Sequence, residues 1–138
     1  MKKIILLVSI LTSLAGFSTA QNKDYKVVFD LASKDTLNQQ SLLREMSLIK
    51  EGNPDAQLEA VIYGQGLGLI IKDASSQSAE IQRLLSMSDV SIKVCALAMK
   101  RQKVDASQLL PNVQIVPDGI YEIISKQRDG WGYIKVAH

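Results

Sequence analysis

The sequence predicts an α/β protein, a three-layer α/β/α sandwich on a mostly parallel sheet of four to five strands. Three observations carry that expectation. Short apolar stretches rich in β-branched and aromatic residues alternate with segments whose apolar residues fall at helical spacing. The first two strand candidates, YKVVFDL and LEAVIY, show little exposed face, as strands covered on both sides must. Strands and helices alternating at this spacing imply βαβ units with right-handed crossovers.

Tyr25 to Leu31 forms the first strand. Thr36, with Gln39 three residues on, has the pattern of a capping box, and Leu42, Leu43, Met46 and Ile49 continue a helix that Gly52 is placed to end. Asn53-Pro54-Asp55 is a turn signal, and Leu58 to Tyr63 is the second strand. It runs into Gly64-Gln65-Gly66-Leu67-Gly68, read as a tight turn, then a short apolar stretch to Ile71. After a polar loop, Ser76 or Ser78 can cap a helix carrying Ile81, Leu84 and Leu85 on one face. Val90 to Val94 is the third strand and leads into Cys95. A brief helix covers Ala96 to about Arg101, and one more turn fits Asp105 to Leu110, stopped by Pro111. Val113 to Val116 is a fourth strand ending at Pro117-Asp118-Gly119. Ile120, Ile123, Ile124 and Gln127 trace a last helix closed by Gly130, and Trp131 to Val136 completes the sheet. One strand fits less well: Val90, Ile92 and Val94 alternate with Ser91, Lys93 and Cys95, so one of its faces is incompletely apolar. A subunit interface would cover that face, or Lys93 would snorkel out of it.

Residues 1–20 are read apart from the fold. Lys2-Lys3, an apolar run from Ile4 to Leu14, and the small residues Ser18-Thr19-Ala20 have the layout of a signal peptide cleaved after Ala20. That run is shorter than the roughly 18–20 apolar residues a membrane span needs, and no later segment approaches that length. The expected mature chain is a single domain, residues 21–138, exported to the periplasm. Loss of Lys2 and Lys3 brings the 16 basic residues down by two to match the 14 acidic ones. No basic stripe remains for a nucleic-acid backbone, and the aromatic residues do not interleave with lysines. A single cysteine excludes an internal disulfide framework, and with only His138 beside it there is no zinc set. A Cys–His dyad would require the frayed chain end to fold back.

In a parallel sheet, ligands bind outside the carboxyl ends of the strands. That edge collects Ala32 to Asp35, Gly64 to Gly68, Cys95, and Pro117 to Gly119. Cys95 stands where a strand turns into a helix, and there unpaired N–H groups and the helix dipole favour a thiolate. Ala96 and Leu97 then stabilise the anion, Gly64, Gly66 and Asp118 wall the pocket, and Lys100 and Arg101 raise the local positive potential. Free cysteine is also a common buried hydrophobe, so an inert Cys95 is the competing reading. Gly64, Gly66 and Gly68 match only part of a dinucleotide fingerprint, since Leu69 stands where the third glycine belongs. Asp30 and Asp118 fit turn and capping chemistry, and Trp131 fits the core.

Two stretches, IKVCALAMKR and LLPNVQIVPDGIYEIISKQRDGWGYIKV, resemble the DsrE-like proteins, which include DsrE, DsrF, DsrH and the TusD-type sulfur-relay subunits. The resemblance runs from KVVFDL to GWGYIKV. It implies a three-layer fold, homo-oligomers from dimers to hexamers, no cofactor, and a cysteine at the place of Cys95 that accepts sulfane sulfur as a persulfide and passes it to a partner protein. Two functions follow as expectations: an exported persulfide carrier, or a non-catalytic oligomeric binding or scaffold module on the same fold.

Overall fold

A computed structural model of the protein describes residues 24–137. The expected signal peptide and His138 lie outside these residues. The chain runs β1 (Lys26–Leu31), α1 (Thr36–Gly52), β2 (Gln57–Ile62), α2 (Ser78–Leu85), β3 (Val90–Cys95), α3 (Ala96–Gln102), β4 (Gln114–Val116), α4 (Gly119–Arg128) and β5 (Gly132–Lys135), with 3-10 segments at Gly64–Ile70 and Ala106–Gln108. The five strands form one sheet in the order β4-β3-β2-β1-β5, and every pairing is parallel. Among the described residues no helix is long and apolar enough to cross a membrane.

The strand order decides where the helices go. The first three crossovers step one way along the sheet, and the fourth returns across it to place β5 beside β1. Right-handed connections therefore send α4 to the face opposite α1, α2 and α3. Side-chain alternation agrees. Phe29 and Leu31 of β1, Leu58 and Ile62 of β2, and Ile92 and Val94 of β3 join the large core with Leu42, Met46, Ile81 and Leu84. Val28 and Val61 point the other way and meet Ile123 of α4 in a smaller core flanked by Trp131.

Local chemistry departs from the sequence reading at three places. Asp35, not a Thr36 box, caps α1, its Oδ1 accepting from Leu37 N at 2.8 Å. Both residues suit that role, and the chain turns one position earlier. Neither Ser76 nor Ser78 caps α2, because Ser78 Oγ instead donates to the carbonyl of Ser75. The glycine stretch is a 3-10 helix continuing to Ile70 rather than a turn followed by an extended segment. A capping box does exist, at Asp105 and Gln108.

The polar face of β3 is accounted for by α4. Lys93 Nζ lies 3.0 Å from Glu59 Oε2 and 2.6 Å from Glu122 Oε1. Lys126 Nζ lies 3.1 Å from Glu59 Oε2 and 4.4 Å from the centroid of the Trp131 ring. Glu59 is 1 % exposed, so an acid inside an apolar strand is matched by two cations, one of them supplied by the helix above it.

This network makes stability depend on pH. Burial alone would raise the Glu122 carboxyl, but hydrogen bonding to Lys93 and the charges of Lys93 and Lys126 outweigh it and hold it below its ordinary value of 4.5. Burial alone would lower Lys93, but Glu122 and Glu59 outweigh it and hold it above 10.5. The Glu122 contribution is complete above 4.5 and lost as pH falls through the lowered value. The Lys93 contribution is complete below 10.5 and lost as pH rises through the raised one. Urea midpoints should form a plateau between these limits and drop on the acid side. Glu122→Gln should lower the plateau and flatten that acid limb, and parallel acid limbs in the two proteins would count against the network.

Candidate functional site

Strand β3 carries Cys95 to the carboxyl edge of the sheet, where it pairs in register with Val116 of β4 and serves as the N-cap of α3. Its backbone is extended (φ −74°, ψ 119°), and the thiol makes no capping hydrogen bond. After β4 the chain turns at Pro117-Asp118-Gly119. Asp118 Oδ1 accepts from Ile120 N at 2.9 Å and Tyr121 N at 3.3 Å and so starts α4.

Gly119 lets this helix come close. A Cβ built there would lie 3.1 Å from Cys95 Cβ and 3.2 Å from Val61 Cγ1. Both contacts are tighter than nine in ten that a real Cβ makes, so a larger residue here would require these side chains to shift by a few tenths of an ångström. Gly64, on the other side, has φ +54° and needs the left-handed region. Its carbonyl accepts from Gln102 Nε2 at the end of α3, tying the 3-10 segment to that helix.

These elements enclose a cavity of about 340 Å³ with Cys95 in its wall. Tyr63 and Gly64 line it from the end of β2. Leu97, Ala98 and Arg101 line it from α3, and Asp118 and Ile120 from α4. Cys95 is 6 % exposed, and Leu97 and Ile120 are each 47 % exposed, giving the mouth an apolar rim. Five residues expected from the sequence thus meet here: Cys95, Leu97, Gly64, Asp118 and Arg101. Ala96, Gly66 and Lys100 do not line the cavity. Ala96 is half-buried in the first turn of α3, Gly66 is buried against the carbonyl of Leu31, and Lys100 is exposed on α3. The sequence reading missed Tyr63, Ala98, Ile120 and the seat at Gly119. The Pro-Asp-Gly signal was present, but a turn explains it equally well.

Behind Tyr63 lies a polar cluster. Asp30 is 5 % exposed. Its Oδ2 accepts from the Tyr133 hydroxyl at 2.6 Å, and its Oδ1 has no hydrogen-bond partner among the described residues. Burial, with the Asp30 carboxylate as neighbour, pushes the Tyr63 phenol up. The hydrogen bond to Asp30 pushes Tyr133 up to about 12. Both phenols therefore stay protonated near neutral pH. Among the described residues no group of three or more His, Cys, Asp or Glu could hold a metal ion.

The close approach at Gly119 has a measurable consequence. Gly119→Ala should cost about 1–3 kcal/mol in urea denaturation, the usual range for overpacking. It should also change the rate at which the folded protein's Cys95 reacts with an alkylating reagent, because α4 must lift from the cavity wall. Wild-type stability together with an unchanged rate would show that the helix does not rest on this contact.

Comparison with known proteins follows the same architecture. The model of the DsrE/DsrF-like family matches residues 26–136. No curated protein matches the chain. Among solved structures, MTH1491 from Methanobacterium thermoautotrophicum, a protein of unknown function, is 26 % identical with a TM-score of 0.76, the match covering 81 % of this chain and 99 % of that one. BT1422 from Bacteroides thetaiotaomicron, a conserved protein of unknown function, is 15 % identical (TM-score 0.67, 80 % and 94 % covered). The ychN protein from E. coli is 12 % identical (TM-score 0.68, 80 % and 97 % covered). The last two likenesses concern the fold alone. With the family model spanning the sheet from β1 to the residue after β5, the chain belongs to the DsrE/DsrF-like family.

Proposed function

We propose that this protein is an exported sulfur carrier in which Cys95 accepts sulfane sulfur as a persulfide and passes it to a partner protein. The observation that carries the reading is the position of Cys95 in the wall of an open cavity at the carboxyl edge of the sheet, in a chain of this family. The cavity is large enough for a small donor or the tip of a protein loop. The step conserves atoms and electrons. With hydrogen disulfide as donor, HS–SH and the Cys95 thiol become the Cys95 persulfide and hydrogen sulfide: one S–S bond breaks, one forms, and the leaving sulfur takes the proton. Exchange of this kind proceeds through attack by a thiolate on sulfur. Tyr63, protonated and lining the same cavity, contributes a polar wall, and Arg101 contributes positive charge at the cavity.

Export and assembly belong to the same proposal. The mature chain starts at Gln21 and works outside the cytoplasm. Tyr121 at 67 % exposed and Ile124 at 49 % form an apolar patch on α4, which we read as a contact between copies of the chain.

Two measurements test these readings. Intact mass spectrometry of the protein recovered from the periplasm and treated with polysulfide should show a chain beginning at Gln21 that gains a sulfur atom. Cys95→Ser should gain none. A folded wild-type protein that takes up no sulfur would leave the scaffold function instead. Light scattering on a sizing column should show an oligomer that Tyr121→Asp with Ile124→Asp reduces to monomer, and a monomeric wild type would remove the assembly.

A further inference from the structure

Cys95 is hemmed in on several sides. Its strand is interior to the sheet, with Ile62 of β2 paired to Val94 and Val116 of β4 paired to Cys95 itself. The chain turns into α3 at the next residue, and α4 sits so close that a Cβ on Gly119 would lie 3.1 Å from Cys95 Cβ. The residue is 6 % exposed and lines a cavity of about 340 Å³. That volume stands near the small end of ligand pockets, which run from roughly 300 to 1,000 Å³. Leu97 from α3 and Ile120 from α4, each 47 % exposed, form its mouth.

This geometry restricts what the sulfur can bond. A disulfide between two cysteines needs their Cα atoms within roughly 4.4–6.8 Å of each other. Another folded chain cannot bring a Cα that close to Cys95 without displacing β4, α3 or α4. Two copies of this protein meet the obstacle twice, since both sulfurs are recessed. The chain has no second cysteine with which to resolve an oxidised Cys95 internally. A sulfur carried by a small molecule meets no such obstacle, because no backbone has to follow it into the cavity.

Resting on the reading of Cys95 as a sulfur carrier, we propose that the cavity is a size filter: Cys95 takes sulfur from a low-molecular-mass persulfide or polysulfide, not from a cysteine on the surface of another folded protein or of a second copy, and Leu97 and Ile120 set the limit. For an alkyl persulfide, R–S–SH and the Cys95 thiol become the Cys95 persulfide and R–SH. The S–S bond of the donor breaks, a bond from Cys95 to its outer sulfur forms, and the thiol proton leaves with R–S.

The test compares two neutral reagents that share a leaving group: methyl methanethiosulfonate and a methanethiosulfonate bearing a nitroxide ring. Each forms a disulfide with Cys95 and releases methanesulfinate, so the ratio of their rates reads access. The advantage of the methyl reagent in the folded protein should exceed its advantage in the urea-unfolded protein by about tenfold or more, since exchange follows access to the sulfur. Leu97→Ala and Ile120→Ala change exposed side chains. Each should speed the nitroxide reagent about threefold or more and leave the methyl reagent nearly unchanged. Under diamide, the urea-unfolded protein should form a disulfide-linked dimer and the folded protein should not. An equal advantage in folded and unfolded protein, a disulfide-linked dimer of the folded chain, or unchanged rates in both alanine variants would overturn the size filter, and labelling by the methyl reagent would leave the carrier reading standing. A folded protein that neither reagent labels would remove the carrier reading and the size filter with it.

Discussion

The missing side chain at Gly119 is the constraint on which the rest of this structure depends. Among the described residues, helix α4 covers one face of the sheet, and at its N-terminus a hydrogen occupies the place where a Cβ would press on Cys95 and Val61. On either side of that contact lie the cavity wall made by Asp118 and Ile120 and the small core of Val28, Val61 and Ile123. The second attachment is electrostatic and lies one to two turns further along the helix, where Glu122 and Lys126 meet Lys93 and Glu59. Packing fixes one end of α4 and charge pairing the other. The first attachment is insensitive to pH and the second is not, so the end of the helix beside the cysteine is the more invariant of the two.

Much of this architecture is legible in the sequence because the strands announce themselves. KVVFDL and LEAVIY have the composition of strands covered on both sides, and the alternation of strands with helical segments leaves little choice but a parallel sheet. The placement of Cys95 at the carboxyl edge follows from the same reading. Other features are not legible, for reasons that can be named. Glu59 sits inside an apolar strand, and nothing local says whether it is buried or exposed. Its partners Lys93 and Lys126 lie 34 and 67 positions further along, so only the return of α4 over the sheet pairs them. Lys93 reads as an uncovered position for the same reason. At the start of α1, Asp35 and Thr36 are both good caps, and the choice rests on backbone geometry that the residues themselves do not fix.

The site residues divide along a similar line. Cys95, Gly64 and Asp118 each belong to a loop at the carboxyl edge, and topology suffices to bring such loops together. Tyr63 and Ile120 line the same cavity because of side-chain direction, which follows from where β2 stops and α4 starts. Strand β2 ends at Ile62, one residue before the expected end, and this leaves Tyr63 as the extended residue that leads into the 3-10 segment.

The chemistry available at Cys95 follows from what surrounds it. Asp118 spends its Oδ1 on two backbone amides, and the phenols of Tyr63 and Tyr133 are held in the protonated state by burial and by Asp30. A reaction that moves protons between carbon or oxygen centres draws on groups that titrate near neutrality. Exchange between sulfur atoms makes a smaller demand, because nucleophile and leaving group are both thiols and each carries its own proton balance. In the proposed transfer a wall of constant protonation is an advantage, since the polarity of the cavity would not change as sulfur is handed on. The apolar rim of Leu97 and Ile120 acts in the same direction: it can be covered by a partner, and covering it would shield a persulfide from water during the transfer.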